Sequence, residues 1–186
     1  SVNNGDWGWA VAPTNIEASV RSGGTLYNYV ASGISWSGSR WYHGVFQRSS
    51  GVAELYLDGV LVTSGSCPYL MDSGTRLFYI GSRSSYTTEV FNGYIKNFRI
   101  SKGIARYSGT FTPPTSYEAD SYTSFLWYAN KEGEQCSTFH DINFYGDGCA
   151  LVPSTLPFGS AKSVLYVDGT TDACLIPHYN DFALGT

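Results

Sequence analysis

The chain has 186 residues, with 11 lysines and arginines against 15 aspartates and glutamates, a formal net charge of −4. With no basic run it offers phosphate backbones nothing to attract them, which excludes nucleic acid as an expected partner, and no apolar run approaches the ~20 residues of a membrane-spanning helix, so no membrane insertion is expected. Fifteen Tyr, 10 Phe, 5 Trp and 21 Gly beside a single Met predict an all-β fold with one core, because aromatic residues suit pleated surfaces and one domain of this length buries enough apolar area.

Taken in chain order, strands are predicted at residues 7–11, 16–21, 26–30 and 41–47, separated by turn residues. Leu55-Tyr56-Leu57 and Val60-Leu61-Val62 flank Asp58-Gly59, a dipeptide suited to a type I′ turn, and predict a hairpin. Residues 77–80 and 93–100 follow as strands, then a brief helical or 3₁₀ connector at 102–107. Pro113-Pro114 closes the first block, since neither can donate to a ladder, and 116–123 reads as a linker or crossover. A strand is expected at 124–128, a loop-rich stretch at 131–160, and a second hairpin or strand bend where Leu165-Tyr166-Val167-Asp168-Gly169 echoes the first. The opening SVNNGDWGWA lacks the features of a signal peptide, and the chain reads as soluble and as a mature or excised piece.

The run from Phe91 to Tyr107, FNGYIKNFRISKGIARY, continuing to Phe111-Thr112-Pro113-Pro114, resembles the laminin-G-like branch of the concanavalin A-like lectin/glucanase superfamily. Trp41-Tyr42-His43 resembles that family's Trp-His-His strand start. Phe125-Leu126-Trp127-Tyr128, Tyr166-Val167-Asp168-Gly169 and Asp181-Phe182-Ala183-Leu184-Gly185-Thr186 resemble the beginning of such a domain. The family's halves therefore stand in permuted order: 1–115 as its C-terminal part and 124–186 as its N-terminal part, together one lectin-like jelly-roll β-sandwich over 1–186. A permuted closure, a tandem-repeat junction and completion by a strand of another chain are the alternatives the pattern leaves open. Phage tail and bacterial surface proteins carry such domains, which implies an extracellular or virion-surface setting.

The resemblance implies binding of glycans or proteins, in some members with calcium at a loop rim, and in the related glucanases a pair of carboxylates. Glycoside hydrolysis needs two carboxylates facing one bond. Glu54 and Asp58 have i, i+4 spacing, but Asp58 is explained by its turn, and no Ser stands in a G-x-S-x-G setting beside His43, His140 or His178. No catalytic residue is assigned. Asp141, Asn143 and Asp147, in a Gly-bearing turn, are hard oxygen donors suited to Ca²⁺, and the resemblance adds Asp172. Aromatic rings stack on the apolar face of a pyranose. The candidates are Trp36, in the loop Gly33-Ile34-Ser35-Trp36-Ser37-Gly38-Ser39, and Trp7, on the same side of its strand as Trp9; Arg83 and Tyr86 lie together between strands. Trp9, Trp41 and Trp127 are assigned to the core. Of the four cysteines, Cys136–Cys149 is one pairing and burial as thiols the other reading.

The expectation is thus a non-catalytic recognition module that binds a glycan or cell-surface receptor, on a phage, virion or secreted bacterial adhesin. The alternatives are a structural module that self-associates through strand edges or contacts neighbouring repeats, and, more remotely, a glucanase-like hydrolase.

Overall fold

The computed structural model describes residues 7–22, 24–68, 78–82, 89–131, 134–137, 143–145, 150–153, 163–168 and 173–176, with only the strand backbone described from Tyr128 onwards. Among these residues every regular element is a β-strand, and all strand pairs are antiparallel. The expected all-β class is what forms. No helix long and apolar enough to cross a membrane is present among them.

The chain divides into two compact units, 1–76 with 103–115 and 180–186, and 77–102 with 116–179. In the first unit, β1 (Trp7–Ala12), β2 (Asn15–Ser22) and β3 (Thr25–Ser32) form one three-stranded sheet, and β4 (Gly44–Ser49), β5 (Val52–Leu57) and β6 (Val60–Ser66) form another. Alternation dictates which side chains meet. Ile16, Ala18 and Val20 on β2, Tyr29 and Ala31 on β3, and Ala53 and Leu55 on β5 make one buried cluster with Cys67, edged by Trp7, Trp36, Phe46 and Val62. Ring and backbone lock where small residues permit: a Cβ at Gly65 would come within 2.9 Å of the Tyr29 ring, whose hydroxyl donates to the Ser66 carbonyl at 2.9 Å.

Strand β5 is also buried on its other face. Tyr56 is 1% exposed, because residues 103–115 form a strap across the outer side of the second sheet. Tyr107 and Phe111 stack on each other with centroids 3.9 Å apart, and Phe111 tilts onto Tyr56 at 5.5 Å. The strap has no ladder of its own, so its backbone groups need other partners. The Gln47 amide supplies two of them: its nitrogen donates to the Tyr107 carbonyl at 2.7 Å, and its oxygen accepts from the Tyr107 N–H at 3.2 Å. Phe111 N–H donates to the Gly59 carbonyl at 3.0 Å.

The hairpin predicted at Asp58-Gly59 forms, with φ of 51° and 81° at the two turn residues, the left-handed pair that a type I′ turn requires. A second turn of this kind, Ser50-Gly51 with φ of 49° and 80°, joins β4 to β5. Two other expectations change. The connector at 102–107 is irregular rather than helical, with Gly103 at φ 82°, because Tyr107 bonds to a side chain instead of to its own turn. The strand expected at 41–47 starts only at Gly44, since His43 N–H is taken by the Asp58 side chain at 2.8 Å.

In the second unit, β7 (Phe78–Ile80), β8 (Asn92–Ile95), β9 (Phe98–Ser101), β10 (Thr123–Lys131), β11 (Glu134–Ser137), β12 (Asn143–Tyr145), β13 (Ala150–Pro153), β14 (Ser163–Asp168) and β15 (Ala173–Ile176) make sheets ordered β11-β10-β9, β12-β15-β7 and β13-β14-β8. Ile80, Ile100, Phe125, Leu126 and Trp127 are buried, so Trp127 lies in a core as predicted. The single strand expected at 93–100 breaks at Asn97, φ 53°, which sends β8 to β14 and β9 to β10. The echo at 164–176 does not make a hairpin: β14 pairs with β13 and β8, and β15 with β12 and β7. The stretch 131–160, expected to be loop-rich, contains the short strands β11, β12 and β13 among its described residues.

Gly59 is the position where the turn and the strap compete for space, since an added Cβ would overlap the Phe111 carbonyl. Gly59→Ala combines that overlap with a left-handed φ and is expected to cost more than about 2 kcal/mol. Urea denaturation measures it, with Gly38→Ala, where an added Cβ meets nothing within 4 Å, as the control.

Candidate functional site

The loop joining β3 to β4, residues 33–43, gathers polar and aromatic side chains at one end of the first unit. It is tied back to the β1–β2 turn by two bonds: Ile34 N–H donates to the Thr14 carbonyl at 2.9 Å, and the Trp36 indole N–H to the Ala12 carbonyl at 2.8 Å. Trp36 is consequently half-buried and edges the core cluster. Its ring meets Tyr42 edge-on, centroids 4.9 Å apart and planes at 82°, an arrangement that matches the negative face of one ring to the positive edge of the other.

Tyr42 is held at its other end by the Ser37 backbone N–H, which donates to the phenol oxygen at 2.6 Å. That bond, followed by the neighbouring Arg40, holds the Tyr42 phenol below the ordinary tyrosine range. Arg40 lies over the Tyr42 ring with its guanidinium carbon 3.9 Å from the centroid, a cation–π contact. Its Nη1 meets Asp58 Oδ2 at 2.9 Å, with the two side chains 55% and 29% exposed. Ser37 and Ser39 share a hydroxyl–hydroxyl bond of 2.8 Å beside them. The result is a short exposed rim in which a guanidinium, two hydroxyls and an aromatic base are fixed by neighbours rather than by solvent.

The structure brings Trp36, from the sequence candidates, into this rim, but as its anchor: the indole N–H is spent inside the protein. Trp7 is half-buried against the core cluster. It shares the core-facing side with Trp9, as alternation predicts, because Trp7 pairs with Val20 and Trp9 with Ala18. Trp9 itself is 39% exposed rather than buried; β1 is the edge strand, and the ring reaches only over Gly44, where an added Cβ would lie 3.2 Å from it. Arg83, Tyr86, Asp141, Asp147 and Asp172 lie outside the described residues, and Asn143 is described only as backbone paired with Leu175. Among the described residues no group of three His, Cys, Asp or Glu gathers as a metal site. Cys67 is wholly buried, and the pair Cys136–Cys149 falls outside the described side chains.

Arg40 and Tyr42 were the residues that sequence reasoning missed. Tyr42 was absorbed into a strand, and Arg40 carried no spacing signal; the one available clue was a run of Ser and Gly ending in Ser39-Arg40-Trp41-Tyr42, where a loop too polar to bury ends in groups that can contact a ligand.

The two carboxylates with glucanase-like spacing are both occupied. Glu54 Oε2 accepts from the Gln47 amide at 2.7 Å, and Asp58 accepts from His43 N–H and pairs with Arg40.

A laminin-G family model, described as the concanavalin A-like lectin/glucanases superfamily, matches residues 1–105, more than half of the chain. Neither a curated protein nor a solved structure matches it.

Replacing Trp36 by Phe keeps an aromatic ring but deletes the bond to Ala12. It is expected to cost about 1 kcal/mol and to loosen the rim, which thermal unfolding together with the Arg40 side-chain Nε–H resonance would report.

Proposed function

The chain belongs to the concanavalin A-like lectin/glucanases superfamily, and on that premise we propose that it is a non-catalytic recognition module that binds a glycan at the 33–43 rim, displayed on a virion or a secreted bacterial surface adhesin. The observation that carries the proposal is the exposed Arg40 guanidinium stacked on the half-buried Tyr42 ring, in a loop that also carries the Ser37 and Ser39 hydroxyls. Sugar recognition rests on a few oriented polar groups next to apolar surface, and a rim held by its neighbours loses little freedom on binding. Affinity at one such site is low and rises when the module is repeated. Support for a non-catalytic role comes from Glu54 and Asp58, whose oxygens serve the sheet and the turn.

A second reading, a structural assembly module, is favoured by β1. Among the described residues this strand, Trp-Gly-Trp-Ala-Val-Ala, pairs only with β2 in its sheet, has no charged residue, and leaves Trp9 and Val11 at 39% and 37% exposure. An uncharged edge of this kind can accept another strand.

Calcium belongs to the proposal separately. Asp141, Asn143, Asp147 and Asp172 carry hard oxygen donors of the type calcium takes, and a melting temperature unchanged by EDTA would remove the ion from the proposal.

The deciding experiment is a glycan array with the full chain and its Arg40→Ala variant, accompanied by light scattering. Binding of a defined glycan class that falls at least tenfold in the variant supports the lectin reading. Silence across the array with a defined oligomer in solution transfers support to the assembly reading.

A further inference from the structure

Arg40 is more constrained than a surface arginine needs to be. Its guanidinium carbon lies 3.9 Å from the Tyr42 ring centroid, and that ring is in turn held by the Ser37 N–H and by a T-shaped contact with Trp36. Its Nη1 is aimed by Asp58 Oδ2 at 2.9 Å. With Nη1 engaged by Asp58 and the Tyr42 ring against the guanidinium, the side chain is still 55% exposed, so part of its fork of N–H donors is open to a ligand. Such a fork matches paired anionic oxygens on one atom, and its flat geometry is met most directly by the coplanar pair of a carboxylate. Sugar hydroxyls, whose oxygens are not coplanar in this way, would use the same donors one at a time.

We infer that Arg40 is a specificity residue that selects glycans bearing a carboxylate, such as uronic or nonulosonic acids, over their neutral counterparts. The inference rests on the glycan reading of the rim and adds the ligand class to it.

The adjacent Asp58 does not prevent this. Its Oδ1 accepts from His43 N–H at 2.8 Å and its Oδ2 faces Arg40, so both oxygens are already engaged by donors. It does set the strength of the site. The Asp58 charge and the net charge of −4 on the chain both oppose an approaching anion, so selection arises at contact distance, through charge-assisted hydrogen bonds, rather than by long-range steering. The Ser37 and Ser39 hydroxyls of the same loop provide donors and acceptors for the sugar's own hydroxyls.

Two substitutions separate this from a general loss of structure. Arg40→Lys retains the positive charge but not the fork. Asp58→Asn retains a residue that favours the type I′ turn before Gly59 and an oxygen to accept from His43, while it removes the carboxylate that aims Nη1. The probes are trigalacturonate and sialyllactose, each titrated calorimetrically into the full chain beside its carboxyl-reduced counterpart and a sulfated trisaccharide.

The expected result is binding of at least one acidic probe tenfold or more tighter than its reduced form, a loss of most of that preference in Arg40→Lys, and a weakened preference in Asp58→Asn. Equal binding of acidic and reduced forms, a preference that survives Arg40→Lys, or stronger binding of the sulfated sugar overturns the carboxylate assignment and leaves the glycan reading intact. Absence of binding by every probe, neutral ones included, on protein whose array is also silent overturns both.

Discussion

The turn at Asp58-Gly59 holds together parts of the first unit that are distant in sequence. Its left-handed backbone closes the β5–β6 hairpin, the Asp58 carboxylate reaches back to His43 and Arg40, and the Gly59 carbonyl receives the Phe111 N–H. Each of these depends on the others. A residue with a side chain at 59 would displace the strap, and without the carboxylate at 58 the β3–β4 loop would lose the acceptor that stops β4 from starting three residues earlier. A two-residue turn thus sets where the strand ends, how the strap passes and which way the Arg40 guanidinium points.

The two faces of the β4-β5-β6 sheet are made dry by different means. The inner face needs only apolar alternation, because the other sheet of the unit supplies its cover. The outer face is covered by chain without regular structure, and buried backbone there must be satisfied by side chains. Gln47 is suited to that task, since one primary amide offers both a donor and an acceptor, and its nitrogen serves Glu54 as well as Tyr107. This requirement explains why a carboxylate with the spacing of a catalytic pair is directed into the fold: half-buried Glu54 is a partner for an amide. Burial and its charge together raise the phenol of neighbouring Tyr56 above the usual tyrosine range, burial being the larger cause.

The elements legible in the sequence are those whose information is local. Alternation in Ile16-Glu17-Ala18-Ser19-Val20 and the Asp58-Gly59 dipeptide contain their own instructions, and both appear where expected. Where distant residues decide, the sequence misleads. Residues 93–100 look like one strand because the aromatic and β-branched residues on both sides of Asn97 outweigh its own preference for a left-handed backbone, while different partners for its two halves, β14 and β10, accompany the break. Trp9 has the alternation of a core residue, but the pattern cannot show that β1 is an edge. The rim was half legible: the Ser/Gly run marked a loop with an aromatic, whereas the positions of Arg40 and Tyr42 follow from a carboxylate sixteen residues beyond Tyr42 and a backbone N–H five before it.

The strap has a consequence for how this sequence can vary. Irregular surface segments usually absorb insertions and deletions, because their backbone is bonded to water. Residues 107–111 cannot do so freely: Tyr107 is held at both its N–H and its carbonyl by Gln47, and four residues later Phe111 must meet Gly59. The spacing between those two aromatics is therefore fixed as firmly as the register of a strand, and length changes among descendants of this sequence should collect on either side of it, in the stretch before Tyr107 or beyond Pro114, while the four-residue interval persists.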